Sequence, residues 1–265
     1  MIWTLFRSAL YQRRTAMLWF AVSLVTYSVL ITWYYPLMAT VNYKELLSSF
    51  PPEMIEAFAG SATDLGSFGG FMATEYLGLI WVLIAGAAAI AFACKSLSSE
   101  VGAGTMEVVL SQPVPRRAIV LVRWLAMVVY LAVLVLATTV PIYLTAIWQD
   151  ISVDAGNLVL LSGGELLLAL AIGGLAFAFA SVSSDSAKPA SIVGGLLGVM
   201  WVLSFLAGNM EWAEALNPVN LFHYWNAASI LNSGTVPSGM WVVYGVVALG
   251  GLAFAVIAFG RRDVA

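Results

Sequence analysis

Side chains able to do chemistry are few in this sequence and fall at three places. The first is the polar run 96–117, Ser-Leu-Ser-Ser-Glu-Val-Gly-Ala-Gly-Thr-Met-Glu-Val-Val-Leu-Ser-Gln-Pro-Val-Pro-Arg-Arg. Thr105 can cap a helix starting at Met106, Gly102 and Gly104 break the chain before it, and Pro113 and Pro115 stop it. The helix so bounded places Met106, Val109 and Leu110 on one apolar face that suits a groove on a cytoplasmic partner. An ordinary capped connector is the other reading. The second place is Glu165, the one acid that can lie inside a long apolar run. An ionisable group at mid-membrane costs about 2.5–3.5 kcal/mol and marks a functional position by default. There it would meet a polar or cationic part of a cargo, or a proton; placed just after Gly163-Gly164, it can equally sit at the outer interface. The third is the pair of lone residues His223 and Cys94. With no second histidine or cysteine they complete no zinc-type site and no intrachain disulfide, so His223 is expected as an interfacial polar group and Cys94 as a small buried one.

These residues belong to a chain whose solvent is lipid. Of its 265 residues 62% are hydrophobic and 9% charged, with a mean hydropathy of +0.94, whereas soluble domains carry about 25% charged residues. Uncharged stretches cover 15–43, 76–94, 124–149, 166–184, 189–210 and 215–260, each long enough for the roughly 20 residues a bilayer core requires. Breakers in the last stretch, Asn217-Pro218, Asn232-Ser233-Gly234 and Pro237-Ser238-Gly239, confine its span to its end. The expected architecture is a single all-α domain over 1–265, with spans near 16–37, 71–94, 118–147, 158–182, 190–209 and 240–260. No cleavable signal peptide is expected, because the first apolar run begins after Arg14 and outlasts a signal core.

Basic residues stay on the cytoplasmic side. With both termini inside, Arg7, Arg13, Arg14, Lys95, Arg116, Arg117, Arg123, Lys188, Arg261 and Arg262 are cytoplasmic, and of the 11 Lys and Arg residues Lys44 alone is outside. Arg123, just inside the third span, is expected to snorkel to the headgroups. The net charge of −3 comes largely from outer acids and argues against nucleic-acid binding. Trp3, Phe6 and Leu10 at helical spacing suit an interfacial helix on the inner leaflet, or a plain extension of the first span. Trp33, Tyr34 and Tyr35 form an aromatic belt before Pro36, and Pro51-Pro52-Glu53 can start a short outer helix. Gly194, Gly195 and Gly198 give the fifth span a face for close helix contact. Leu221, Phe222, Tyr224 and Trp225 are too apolar for an open loop and predict a re-entrant or interfacial segment before the sixth span.

The run 96–117 resembles the linker between the second and third spans of the ABC-2-type transporter permease family. The matching residues are Glu100, Gly104-Thr105, Glu107, Val109-Leu110 and Pro113-Val114-Pro115-Arg116. The resemblance extends to the N-terminal helix, the large first outer loop, the turn at Pro52-Glu53 and the broken segment before the sixth span. It implies a dimeric transmembrane unit of an exporter, with Glu100, Gly104, Thr105, Met106, Glu107, Val109, Leu110, Pro113 and Arg116 in a coupling helix that docks on two copies of a separate ATPase. A homodimer is favoured over a heterodimer on family habit, in a bacterial or archaeal plasma membrane. The family often has two or three acids ahead of its Gly-Thr, whereas here Val101 and Gly102 follow Glu100. A P-loop needs Gly-Lys followed by Ser or Thr, but the lysines follow Tyr43, Cys94 and Ala187. This chain is therefore expected to bind no cofactor and to perform no catalysis, with ATP and Mg used by the partner. The competing reading is an ATPase-independent secondary transporter with Glu165 as its coupling residue.

Overall fold

The structure, a computed structural model, describes residues 2–39, 66–104, 114–208 and 210–262. The expected outer helix at 51–58 and the coupling residues Thr105, Met106, Glu107, Val109, Leu110 and Pro113 lie outside the described residues. In chain order the elements are α1 (Ile2–Tyr11), α2 (Arg14–Ala39), α3 (Phe68–Met72), a π-helical turn (Ala73–Leu77), α4 (Ile80–Ser96), α5 (Ser98–Gly102), α6 (Arg116–Trp148), α7 (Ala155–Val182) and α8 (Ala187–Leu206). There follow α9 (Glu211–Glu214), 3₁₀ turns at Asn217–Val219 and Leu221–Tyr224, α10 (Ala227–Ser233) and α11 (Met240–Arg261). No strand occurs among the described residues. Among the described residues six helices are long and apolar enough to cross a membrane: α2, α4 continued through α5, α6, α7, α8 and α11. The chain is an all-α polytopic membrane protein.

α4, α6 and α7 form the interior, while α2, α8 and α11 leave most of their apolar surface uncovered, as lipid-facing helices do. α7 packs most extensively on α11, and the reason is backbone proximity. A Cβ on Gly174 would stand 2.8 Å from the Ala248 carbonyl oxygen, and one on Gly251 would stand 2.3 Å from that of Gly174. Small residues at this crossing let the two backbones touch. By contrast, Cβ atoms on Gly194, Gly195 and Gly198 would meet nothing within 4 Å. The glycine face expected to mediate close contact has no partner within the described part of the chain.

α2 covers the expected first span and runs through Pro36 to Ala39, because a proline so near a helix end forfeits only one terminal bond, here to the Thr32 carbonyl. One span differs from the sequence expectation. The span expected at 71–94 is broken into α3, the π turn and α4. At the break a Cβ on Gly78 would lie 2.4 Å from the Ala73 oxygen, so the tight turn requires glycine. The Leu77 carbonyl left over by the interruption accepts from the Trp225 indole N–H at 2.8 Å. Trp225 in turn stacks on Trp81 with centroids 6.1 Å apart. Leu221 and Trp225 are buried, as their apolar character requires, and the Tyr244 hydroxyl donates to the Leu221 carbonyl at 2.9 Å. The Asn232 side chain ties α10 to α3 by accepting from Gly69 N at 3.0 Å and donating to Ser67 Oγ at 2.8 Å.

Candidate functional site

Both roots of the 105–113 segment are fastened to the bundle. On the α5 side, the Ser98 hydroxyl donates to the Ala180 carbonyl at 3.1 Å. Gly102 presses against the link between α7 and α8, where a Cβ would fall 2.3 Å from the Ser184 oxygen. Gly104 follows with a φ of 71°, a left-handed conformation that glycine adopts without a Cβ penalty. On the α6 side, the Arg116 guanidinium donates to the Arg262 carbonyl. The Arg262 guanidinium continues the ring, donating to Ser181 O at 3.2 Å and to Ser183 O at 2.9 Å.

Glu100 joins the two roots. Its carboxylate pairs with the Arg123 guanidinium of α6, which also donates to the Ser96 carbonyl at the end of α4. The other Glu100 oxygen stands 3.8 Å from Arg13, in the bend between α1 and α2. Arg13 is 6% exposed and Arg123 7% exposed, so two buried guanidinium groups converge on one carboxylate. Arg13 also donates to Ala9 O at 2.9 Å and lies 4.8 Å from the centroid of the Phe92 ring. Burial pulls the Arg13 guanidinium below its ordinary pKa; Glu100 opposes that fall and Arg123 adds to it. Arg123 therefore does not snorkel to the headgroups. Its head turns inward because Ser96 and Glu100 offer charge-assisted hydrogen bonds there, which are about twice as strong as neutral ones.

Of the residues expected in the coupling segment, the described ones, Glu100, Gly104 and Arg116, stand together at this end of the bundle. Arg13, Arg123, Arg262 and Ser98 were not singled out by sequence reasoning as partners in it. The available signal was Arg123 itself, a charge interrupting an apolar run within reach of an acid once α4 and α6 are placed antiparallel.

Glu165 lies about 15 Å along α7 from Ala155 at 1.5 Å per residue. It is fully buried, and neither carboxylate oxygen has a hydrogen-bond partner among the described residues. Buried polar groups cluster in the same interior: the Ser28 hydroxyl donates to Tyr76 Oη at 3.1 Å and the Trp81 indole to Thr138 Oγ1 at 3.0 Å. An apolar groove of about 360 Å³ lies between α4 and α8, lined among others by Val82, Gly86, Ile90, Leu197, Trp201 and Phe222. His223 is exposed and meets the Tyr224 ring edge-on at 5.0 Å, and Cys94 is buried and unpaired. No group of three His, Cys, Asp or Glu side chains suited to a metal occurs among the described residues.

Six membrane-length helices among the described residues, with both roots of the 105–113 segment fastened at one end of the bundle, define a polytopic membrane protein. The family described as ABC-2 family transporter protein matches residues 3–264, and the chain belongs to it. It is thus the membrane component of an ABC-2-type transporter. No curated protein matches the chain.

Proposed function

We propose that this chain is the permease of an exporter driven by a separate ATPase, with the 105–113 segment as its docking helix. The observation that carries the reading is the anchoring of both roots of that segment through Ser98, Gly102, Glu100 and Arg116. A segment held at both ends can transmit a push from below, whereas a slack linker absorbs it. Family membership implies an ABC ATPase partner. Two ATPase copies, each loading ATP and Mg, act on two permease copies, a homodimer in the simplest arrangement, in a bacterial or archaeal plasma membrane. The groove between α4 and α8 supports a hydrophobic or amphipathic cargo, a drug, lipid-like molecule or peptide, because its size falls within the 300–1,000 Å³ of small-molecule sites and its walls are apolar. Co-expression with an ATPase subunit from the same genome tests this: the wild type is expected to co-elute with it and alter its ATP hydrolysis, and Leu110→Asp to abolish both effects. Co-elution and hydrolysis indifferent to Leu110→Asp would remove the docking assignment.

One observation favours a second reading, transport without an ATPase: Glu165 is an ionisable group with two unpartnered oxygens inside the bundle. Proteoliposomes with a trapped pH-sensitive dye separate the two. Under an imposed pH gradient and without ATP, no proton flux is expected through the wild type; a flux that Glu165→Gln abolishes would establish the ion-coupled reading.

A further inference from the structure

We propose that Arg13, Glu100 and Arg123 form a charge-bridged joint that carries displacement of the 105–113 segment to α1, with Arg13 as a positioning residue. This rests on the reading that an ATPase pushes on that segment.

The geometry is a triangle of three elements. Glu100 sits on α5, at the near root of the segment; Arg123 sits on α6, beyond its far root; Arg13 sits in the bend that ends α1. One carboxylate divides its two oxygens between the two arginines, so it cannot move without pulling on both partners. The ties continue on each side: Arg123 holds the α4 terminus through Ser96 O, and Arg13 holds α1 through Ala9 O. Arg13 also packs on Phe92 of α4. Both arginines are buried and Glu100 is half-buried, so these charge pairs are screened less than pairs on an open surface. The Arg13 to Glu100 arm, at 3.8 Å, is the looser one, and it is the arm that crosses from the linker to the N-terminal helix. Glu100 thus acts inward on its own chain. Its role in coupling requires no direct salt bridge to the ATPase.

The test uses the assembled complex of this chain with its ATPase. Spin labels are placed at the exposed positions Thr4 of α1 and Asp185 of the α7–α8 link, with Cys94, buried, left unchanged. Their separation is measured before and after trapping with ATP and vanadate. The wild type is expected to show a change in separation. Arg13→Gln is expected to assemble and hydrolyse ATP as the wild type does while losing that change, and Arg13→Lys, which keeps the charge, to retain it. Combining Arg13→Gln with Glu100→Gln is expected to go no further than Glu100→Gln alone, because both remove one interaction. A full change in Arg13→Gln overturns the joint. So does loss of the change in Arg13→Lys as well as Arg13→Gln, since charge would then not be the agent. Should Arg13→Gln fail to assemble, Arg13→Lys and Glu100→Gln decide: the joint stands only if the first keeps the change and the second loses it. A wild type that binds no ATPase, or shows no change on trapping, fails at the underlying reading and takes the joint with it.

Discussion

Arg123→Met is expected to lower the stability of the purified chain by about 3 kcal/mol, and a second substitution, Glu100→Met, to return much of that loss. The single change takes the close Arg123 partner from the Glu100 carboxylate, with Arg13 at the looser 3.8 Å, and leaves the Ser96 carbonyl without its guanidinium donor. A buried ion pair broken on one side is costly because the surviving charge keeps its desolvation penalty and loses its partner. Replacing both members with apolar side chains removes that penalty, so the double variant folds more stably than the single. Recovery will be incomplete, because Arg13 then lacks its carboxylate and Ser96 O still lacks its donor. Thermal unfolding in detergent, followed by the fluorescence of the tryptophans, measures the order wild type, double variant, single variant. A double variant less stable than the single would mean that the Glu100 carboxylate stabilises the fold even without Arg123, contrary to this account.

The same cluster shows where sequence reasoning reached its limit. The long apolar runs locate the membrane helices because lipid requires a minimum length of uncharged helix, and the breakers from Asn217 to Gly239 locate the short elements before α11. The inward turn of Arg123 was not legible, since snorkelling and pairing are both available to an arginine near a helix end. The choice depends on Glu100 being brought across by the reversal between α5 and α6. The break at Ala73–Leu77 was hidden for a related reason. Its local sequence is apolar enough for a continuous span, and the indole of Trp225, far along the chain, is what satisfies the Leu77 carbonyl. Glycines misled in both directions: Gly194 and Gly198 have the spacing of a packing face, yet a Cβ on either would meet nothing within 4 Å among the described residues, while Gly174 and Gly251 make a close backbone crossing from two different helices.

That crossing gives the second large effect. Gly251→Val is expected to destabilise the chain by about 3 kcal/mol, at the upper end of overpacking costs, whereas Gly250→Val is expected to change stability little. The two variants add the same β-branched side chain to adjacent positions of the same helix, so intrinsic helix propensity is matched. They differ in surroundings. A Cβ at Gly250 meets nothing within 4 Å, while one at Gly251 would overlap the Gly174 backbone, with three of its atoms between 2.3 and 2.8 Å away. Backbone atoms cannot swing aside as a flexible side chain can, so α11 must move away from α7. That displacement reaches the end of the bundle that holds the 105–113 roots, because the residue after α11 is Arg262, whose guanidinium holds Ser181 and Ser183 and whose carbonyl receives Arg116. Gly251→Val should therefore weaken ATPase association under the proposed reading as well as lower thermal stability, with Gly250→Val as the matched control. Equal effects of the two substitutions would show that the helices do not meet at Gly174 and Gly251.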